Sequence, residues 1–377
     1  MQSRFLLFAN GNDLFRSKHL KTHNPARLPA WGLRRAIRWC RALCVSALLA
    51  GLGVAPAAIV CVSNERSGDV TLIDAQSLQV LATVPVGKRP RGIHPSADGK
   101  LLFVALSGSP ISGPRHQAAG VADDDDSPKN VDHSADGIGI IDVAHRKFLR
   151  KIPAGSDPEQ FAVSADSAKL YVANEDAGTV SVLNAADGKV EQTIRVGEEP
   201  EGVAFTPDGK LVFITCETRG EIFAVDTSQN RSVWNFTVGG RPRNVAFLPD
   251  GSQAFIPSES TGLLHMVDLA GRKILGQVSL PPNSRPMCVA MTHDGKTLYV
   301  SMGWAGTVCA LDTHSRELKA TIKVGPRPWG IALSPDSRKL YAANGPSNDI
   351  SVVDLNEGKE VARIKAGASP WGVAVVP

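Results

Sequence analysis

An all-β fold, a seven-bladed propeller of four-stranded blades, is what this sequence predicts, and three observations predict it. A proline recurs at one point of a repeating unit, as Pro90, Pro158, Pro200, Pro242, Pro286, Pro328 and Pro370. After a first interval of 68 residues these prolines stand 42, 42, 44, 42 and 42 residues apart. Each interval holds four short runs of alternating, β-branched or aromatic residues, the period-two signature of strands. Finally, the last repeat stops after one strand, and its three missing strands stand at 59–64, 69–74 and 78–86. Both ends of the chain therefore build the closing blade, which leaves the ring without a free sheet edge.

The third repeat justifies each element in turn. Its strands are predicted at 202–206 (a), 211–216 (b), 221–226 (c) and 232–238 (d). Pro207-Asp208-Gly209 makes the a–b turn, the proline fixing φ and the glycine accepting a left-handed position. The turn acid recurs as Asp98, Asp166, Asp208, Asp250, Asp294 and Asp336. An acid or amide closes every strand c (Asp74, Asp142, Asn184, Asp226, Asp268, Asp312 and Asp354), where it is placed to bond the next turn's amides. Three residues before each marker proline stands a glycine, or in one case Asn283. Since Asn is the other residue that tolerates positive φ, a left-handed backbone is expected there.

Residues 1–57 differ in composition. Arg34, Arg35, Arg38 and Arg41 precede an apolar run from 42 to 54 and an Ala-Pro-Ala site, which reads as a secretory signal peptide with a spurious upstream extension. A periplasmic location follows as the expectation, with the propeller over 58–377 and no membrane association once the segment is cleaved. The first 57 residues hold nine of the 41 Lys and Arg and one of the 37 Asp and Glu, so the remainder carries a net charge of −4. A mildly acidic ring repels a phosphate backbone, and nucleic-acid binding is set aside. Cys61, Cys216, Cys288 and Cys309 form no C-x-x-C pair and read as packed apolar side chains. The long first interval places an insert at 107–137, rich in Asp, between strands b and c of the first blade. It reads as a solvated loop that overhangs the channel face, with a lid or docking role open to it.

Where the repeat stops repeating, function is expected. The residue after each marker proline reads Arg91, Glu159, Glu201, Arg243, Met287, Trp329 and Trp371, with Trp304 on a neighbouring loop. These are the candidate ligand- or partner-binding residues at the channel mouth. The face is expected to be aromatic on one side and acidic on the other, the acids being Asp157, Glu159, Glu175, Glu199, Glu201, Glu217 and Glu259. Trp329 and Trp371 also suit a plug of the channel entrance. Glu65, Glu175, Glu217 and Glu259 recur in register, as a repeated loop hydrogen bond would. No nucleophile elbow, Cys/His pair or phosphate loop is present, so no catalytic residue is nominated. A metal set of Glu159, Glu201 and His94 stands as the alternative; carboxylates there could hold Ca²⁺.

Tyr171-Val-Ala-Asn174, echoed by Tyr299-Val-Ser-Met302 and Tyr341-Ala-Ala-Asn344, with the G-x-x-P-x-G-[VI]-A and T-V-S-V phrases around them, resembles the YVTN-repeat propellers across 59–377. A secreted single ring with an insert in its first blade is similar to the PQQ-dependent catabolism-associated β-propeller proteins. That resemblance implies a non-catalytic, periplasmic binding or scaffold module beside PQQ-dependent alcohol oxidation, a monomer partnered by a quinoprotein dehydrogenase or a cytochrome. PQQ itself would need Arg91 or Arg243 for its carboxylates; no motif indicates a cofactor. The alternative is a propeller hydrolase of lactonase type with Glu159, Glu201 and His94 around a channel metal.

Overall fold

The structure, a computed structural model, describes residues 58–111 and 131–377. The signal-like segment and most of the acidic stretch of the insert lie outside the described residues. The ring consists of seven four-stranded antiparallel sheets. Blade 1 starts at Pro90 and blade 7 joins Pro370–Val376 to Ile59–Asn64, with Ile59 opposite Val376 and Val62 opposite Val373. In blade 3 strands b and c lie at Leu211–Cys216 and Glu221–Asp226, as predicted. Strand a runs Pro200–Phe205, so the marker proline itself opens the innermost strand.

The core lies between blades. One apolar cluster joins Tyr171, Ala173 and Val180 of blade 2 to Val203, Val212 and Ile214 of blade 3, and comparable clusters fill the other seams. A blade therefore buries its faces only against its neighbours. Cys61, Cys216 and Cys309 are buried in these clusters as free thiols, and burial pushes the Cys61 and Cys216 thiols up to about 12.

The repeated polar residues are architecture. Asp226 Oδ1 accepts from the amides of Ser228 (2.9 Å) and Gln229 (3.0 Å), and its equivalents at the other strand-c ends do the same. The amide ending strand b is similar: Asn344 Nδ2 donates to Asp349 at 2.7 Å and Ser351 at 2.8 Å, tying strand b to strand c.

The left-handed backbone expected three residues before each marker proline is present at three of the seven positions. Gly87, Gly239 and Asn283 do have positive φ, but the other four glycines of the series do not. At those four positions the requirement is space. A Cβ on Gly325 would lie 2.3 Å from the Asn344 side chain, and one on Gly155 would lie 2.2 Å from that of Asn174.

Candidate active site at the channel mouth

Left-handed backbone falls instead on the residue just before each marker proline. Arg89, Asp157, Glu199, Arg241, Arg285, Arg327 and Ser369 all have φ between 45° and 58°. A non-glycine side chain in this region, ahead of a proline that disfavours many backbone states, is strained, and such strain gathers at functional sites. The b–c loops lie at the same end of the channel. The amides of Glu65, Glu175, Glu217 and Glu259 donate to the carbonyls of Ser369, Asp157, Glu199 and Arg241 at 2.9–3.1 Å.

The residue after each proline sits on a bulge. In blade 1 pairing passes from Pro90↔Leu106 to Ile93↔Val104, and blades 2, 3, 5 and 6 repeat the shift. A bulge re-aims side chains, here Arg91, Glu159, Glu201, Met287 and Trp329. Small residues one position on let neighbouring blades close in: a Cβ on Gly92 would lie 2.8 Å from the Glu159 carbonyl oxygen, and one on Gly372 would lie 2.6 Å from that of Arg91. Ser63 and Ser301 then hold the carbonyls of Arg91 and Trp329 at 2.5 and 2.7 Å.

The outcome is a buried charge network in two halves. In one, Arg91 pairs with Glu159, with Glu175 at 3.2 Å and with Glu65 at 3.3 Å, while Arg89 binds Glu65 at 3.0 Å and Asp157 at 3.5 Å. In the other, Arg243 reaches Glu201 at 2.5 Å, Glu259 at 2.6 Å and Glu217; Arg241 adds a bond to Glu217 at 2.7 Å and Arg285 one to Glu259 at 3.3 Å. The acidic side expected from the sequence is thus corrected: its carboxylates alternate with arginines, because charges at this depth persist only when paired. Glu65, Glu175, Glu217 and Glu259 do both: their amides close the repeated loop hydrogen bond and their carboxylates point at guanidinium groups.

Each half also contains a carboxyl–carboxyl hydrogen bond, Glu175 with Glu159 and Glu201 with Glu217. Burial, and then the adjoining acid, hold Glu175 well above the usual carboxylate range. Burial does the same for Glu201, against Arg243 and with Glu217 adding to it. Glu259 goes the other way: burial would raise it, but Arg243, Arg241 and Arg285 outweigh burial and lower it. Arg91 keeps its charge because Glu159, Asp157, Glu175 and Glu65 together overcome its desolvation. Glu175 and Glu201 therefore keep their protons to higher pH than ordinary carboxyls do, a property that suits a general acid.

On the far side Trp329 and Trp371 stack, with centroids 5.8 Å apart and an angle of 21°. The guanidiniums of Arg327 and Arg243 lie 5.0 and 5.7 Å from the Trp329 ring centre, so the aromatic and charged halves touch. Trp304 stands apart from that stack. It is 46% exposed and lies under Arg285 at 4.5 Å. Met287 is buried on its bulge. His94 bonds Gln160 at 3.3 Å and packs edge-on to Phe161, and burial lowers its pKa. It does not join Glu159 and Glu201 as a ligand set, and among the described residues no group of three His, Cys, Asp or Glu is arranged to hold a metal.

A cleft of about 490 Å³ opens at the seam of blades 2 and 3, lined by Glu175, Asp176, Arg195, Glu198, Glu199 and Thr218, among others. Glu175 is the one member of the network that lines it. At the seam of blades 1 and 2 the two stems of the insert grip each other. Asp136 accepts from the Gly108 amide at 2.7 Å and sits 2.9 Å from His133, and Lys88 pairs with Asp132 at 2.7 Å.

Sequence reading found Arg91, Glu159, Glu201, Arg243, Trp329 and Trp371, and the structure brings these together as two charged groups and one stack. It missed Glu175 and Glu217 as partners of Glu159 and Glu201. The available signal was the constant 16-residue offset between the two acids of each pair in successive repeats.

Fold and site together define a seven-bladed β-propeller with a buried glutamate–arginine cluster at its channel mouth. Residues 197–366, which span blades 3 to 6, match the family model described as lactonase, 7-bladed β-propeller. No curated protein matches the sequence. Among solved structures, the periplasmic gluconolactonase of Pseudomonas aeruginosa superposes with a TM-score of 0.64 at 20% identity, over 85% of this chain and 99% of that one. A candidate 6-phosphogluconolactonase from Bacteroides fragilis gives 0.68 at 18%, over 86% and 99%. Hydrazine synthase from Kuenenia stuttgartiensis gives 0.66 at 21%, over 78% and 92%. At these identities the superpositions carry the fold alone. The family match overturns the expectation of a non-catalytic scaffold beside PQQ-dependent alcohol oxidation, because the matching model is that of an enzyme family. The match agrees instead with the alternative reading, a propeller hydrolase of lactonase type.

Proposed function

We propose that the protein is a lactonase-type hydrolase that opens a cyclic ester at the channel mouth, in the periplasm. The observation that carries this reading is Glu175: it lines the cleft, hydrogen-bonds Glu159 and sits 3.2 Å from Arg91. The lactonase family match supports the reaction class, and the basic and apolar run at 34–57 supports export.

In this reading the ionised carboxylate of the pair takes a proton from water as the water oxygen bonds to the lactone carbonyl carbon. Arg91, 3.2 Å from Glu175 and outside the cleft lining, holds the carboxyl pair in place for this step. The acyl carbon–ring oxygen bond then breaks, and the protonated carboxyl gives its proton to the leaving alkoxide. Lactone and water become a hydroxy acid, which ionises at neutral pH. Acid release followed by pH-stat titration tests the reading. Glu175→Gln and Glu159→Gln should each slow ring opening by about 100-fold or more with the fold intact. Equal acid release with and without the protein, over a panel of lactones, would end the proposal.

A further inference from the structure

We infer that the substrate is an uncharged, hydroxyl-rich lactone and that the cleft selects against phosphorylated ones; this rests on the hydrolase reading above. The cleft beside Glu175 is lined by Asp176, Glu198 and Glu199, with Arg195 as its one cationic lining residue. The surroundings do not restore the balance. Glu198 has only an exposed contact with Arg219 at 3.4 Å, and Glu199 bonds the neutral hydroxyl of Thr218 at 2.7 Å.

A phosphate ester carries close to two negative charges at neutral pH and would enter against this field. A neutral polyol meets carboxylate oxygens that accept from its hydroxyls at no electrostatic penalty. The arginines of the mouth do not supply a phosphate site here, because Arg91, Arg89 and Arg243 already face two or more carboxylates each.

The test compares kcat/KM for glucono-δ-lactone and for its 6-phosphate with the purified protein at low and high salt. The neutral lactone should be preferred by about tenfold or more at low salt, and added salt should narrow the gap by raising the rate with the phosphate ester alone. Glu198→Lys should raise kcat/KM for the phosphate ester relative to the neutral lactone. Preference for the phosphate ester, or a ratio moved by neither salt nor the substitution, would overturn the inference and leave the hydrolase reading standing. Turnover of neither lactone would also overturn the inference, while the hydrolase reading is decided by the wider lactone panel.

Discussion

Arg243 shows how one residue sets the terms for the mouth. It faces Glu201, Glu217 and Glu259 at once with its side chain only 6% exposed. Arg243→Leu would leave buried acids without their cation, which typically costs about 3–5 kcal/mol; a fall in the urea midpoint at neutral pH measures it. The protonated acids give a pH dependence with a definite sign. Glu175 and Glu201 have raised pKa values in the folded state, so the native protein keeps protons that the unfolded chain releases above about 4.3. Their contribution to stability is full below that pH and declines as pH rises toward the folded values. Glu259, lowered by its arginines, contributes the opposite slope: its stabilisation is present above the unfolded value and lost in acid. Glu201→Gln should therefore flatten the decline in stability on the alkaline side while leaving the acid side set by Glu259. An unchanged slope in urea titrations across pH would show that Glu201 is ionised in the fold. At this scale the sequence revealed where the repeat varies, and so named Arg91, Glu159, Glu201 and Arg243. It did not reveal whom they face, because pairing depends on the bulge and on the left-handed residue ahead of each proline.

The d–a connection is the element that makes the mouth, and its glycine shows why position is easier to read than cause. Gly325 is needed because Asn344 fills the space where a Cβ would stand, 2.3 Å away. Asn344 cannot retreat, since it holds Asp349 and Ser351 at the end of strand b. Gly325→Ala should destabilise by about 1–3 kcal/mol. In the double variant Gly325→Ala/Asn344→Ala the clash partner is gone, so the combined loss should be smaller than the sum of the two single losses. Strict additivity in denaturant titrations would contradict the steric account. The turn acids, the strand-c acids and the blade-3 strands b and c were legible because each rests on local chemistry within a few residues. The glycine's reason was not, because Asn344 lies 19 residues away and meets it only once strands a and b have paired. The same holds for the two carboxyl pairs, whose members come together from different elements.

Closure governs the whole molecule. Pro370–Val376 is the innermost strand of blade 7, pairs with Ile59–Asn64 and packs against the innermost strands of blades 6 and 1. It also brings Trp371 onto Trp329. Its removal would bare the Ile59–Asn64 edge, unseat both neighbouring blades and split the aromatic stack. A chain ending at residue 369 should lose its single cooperative thermal transition and self-associate through the open edge. Calorimetry and light scattering would record both changes. Truncation alone does not separate loss of closure from loss of residues, but a circular permutant does. Ile59 lies opposite Val376, so a short turn joining Pro377 to Ala58 would hold the two strands as a hairpin. New termini at the exposed Asp98–Gly99 turn would then leave every blade intact. The permutant should be monomeric and melt within a few degrees of the parent. If both proteins melt like the parent, the terminal strand is not what holds the ring shut; if both fail, the order of the repeats along the chain matters as well as their closure.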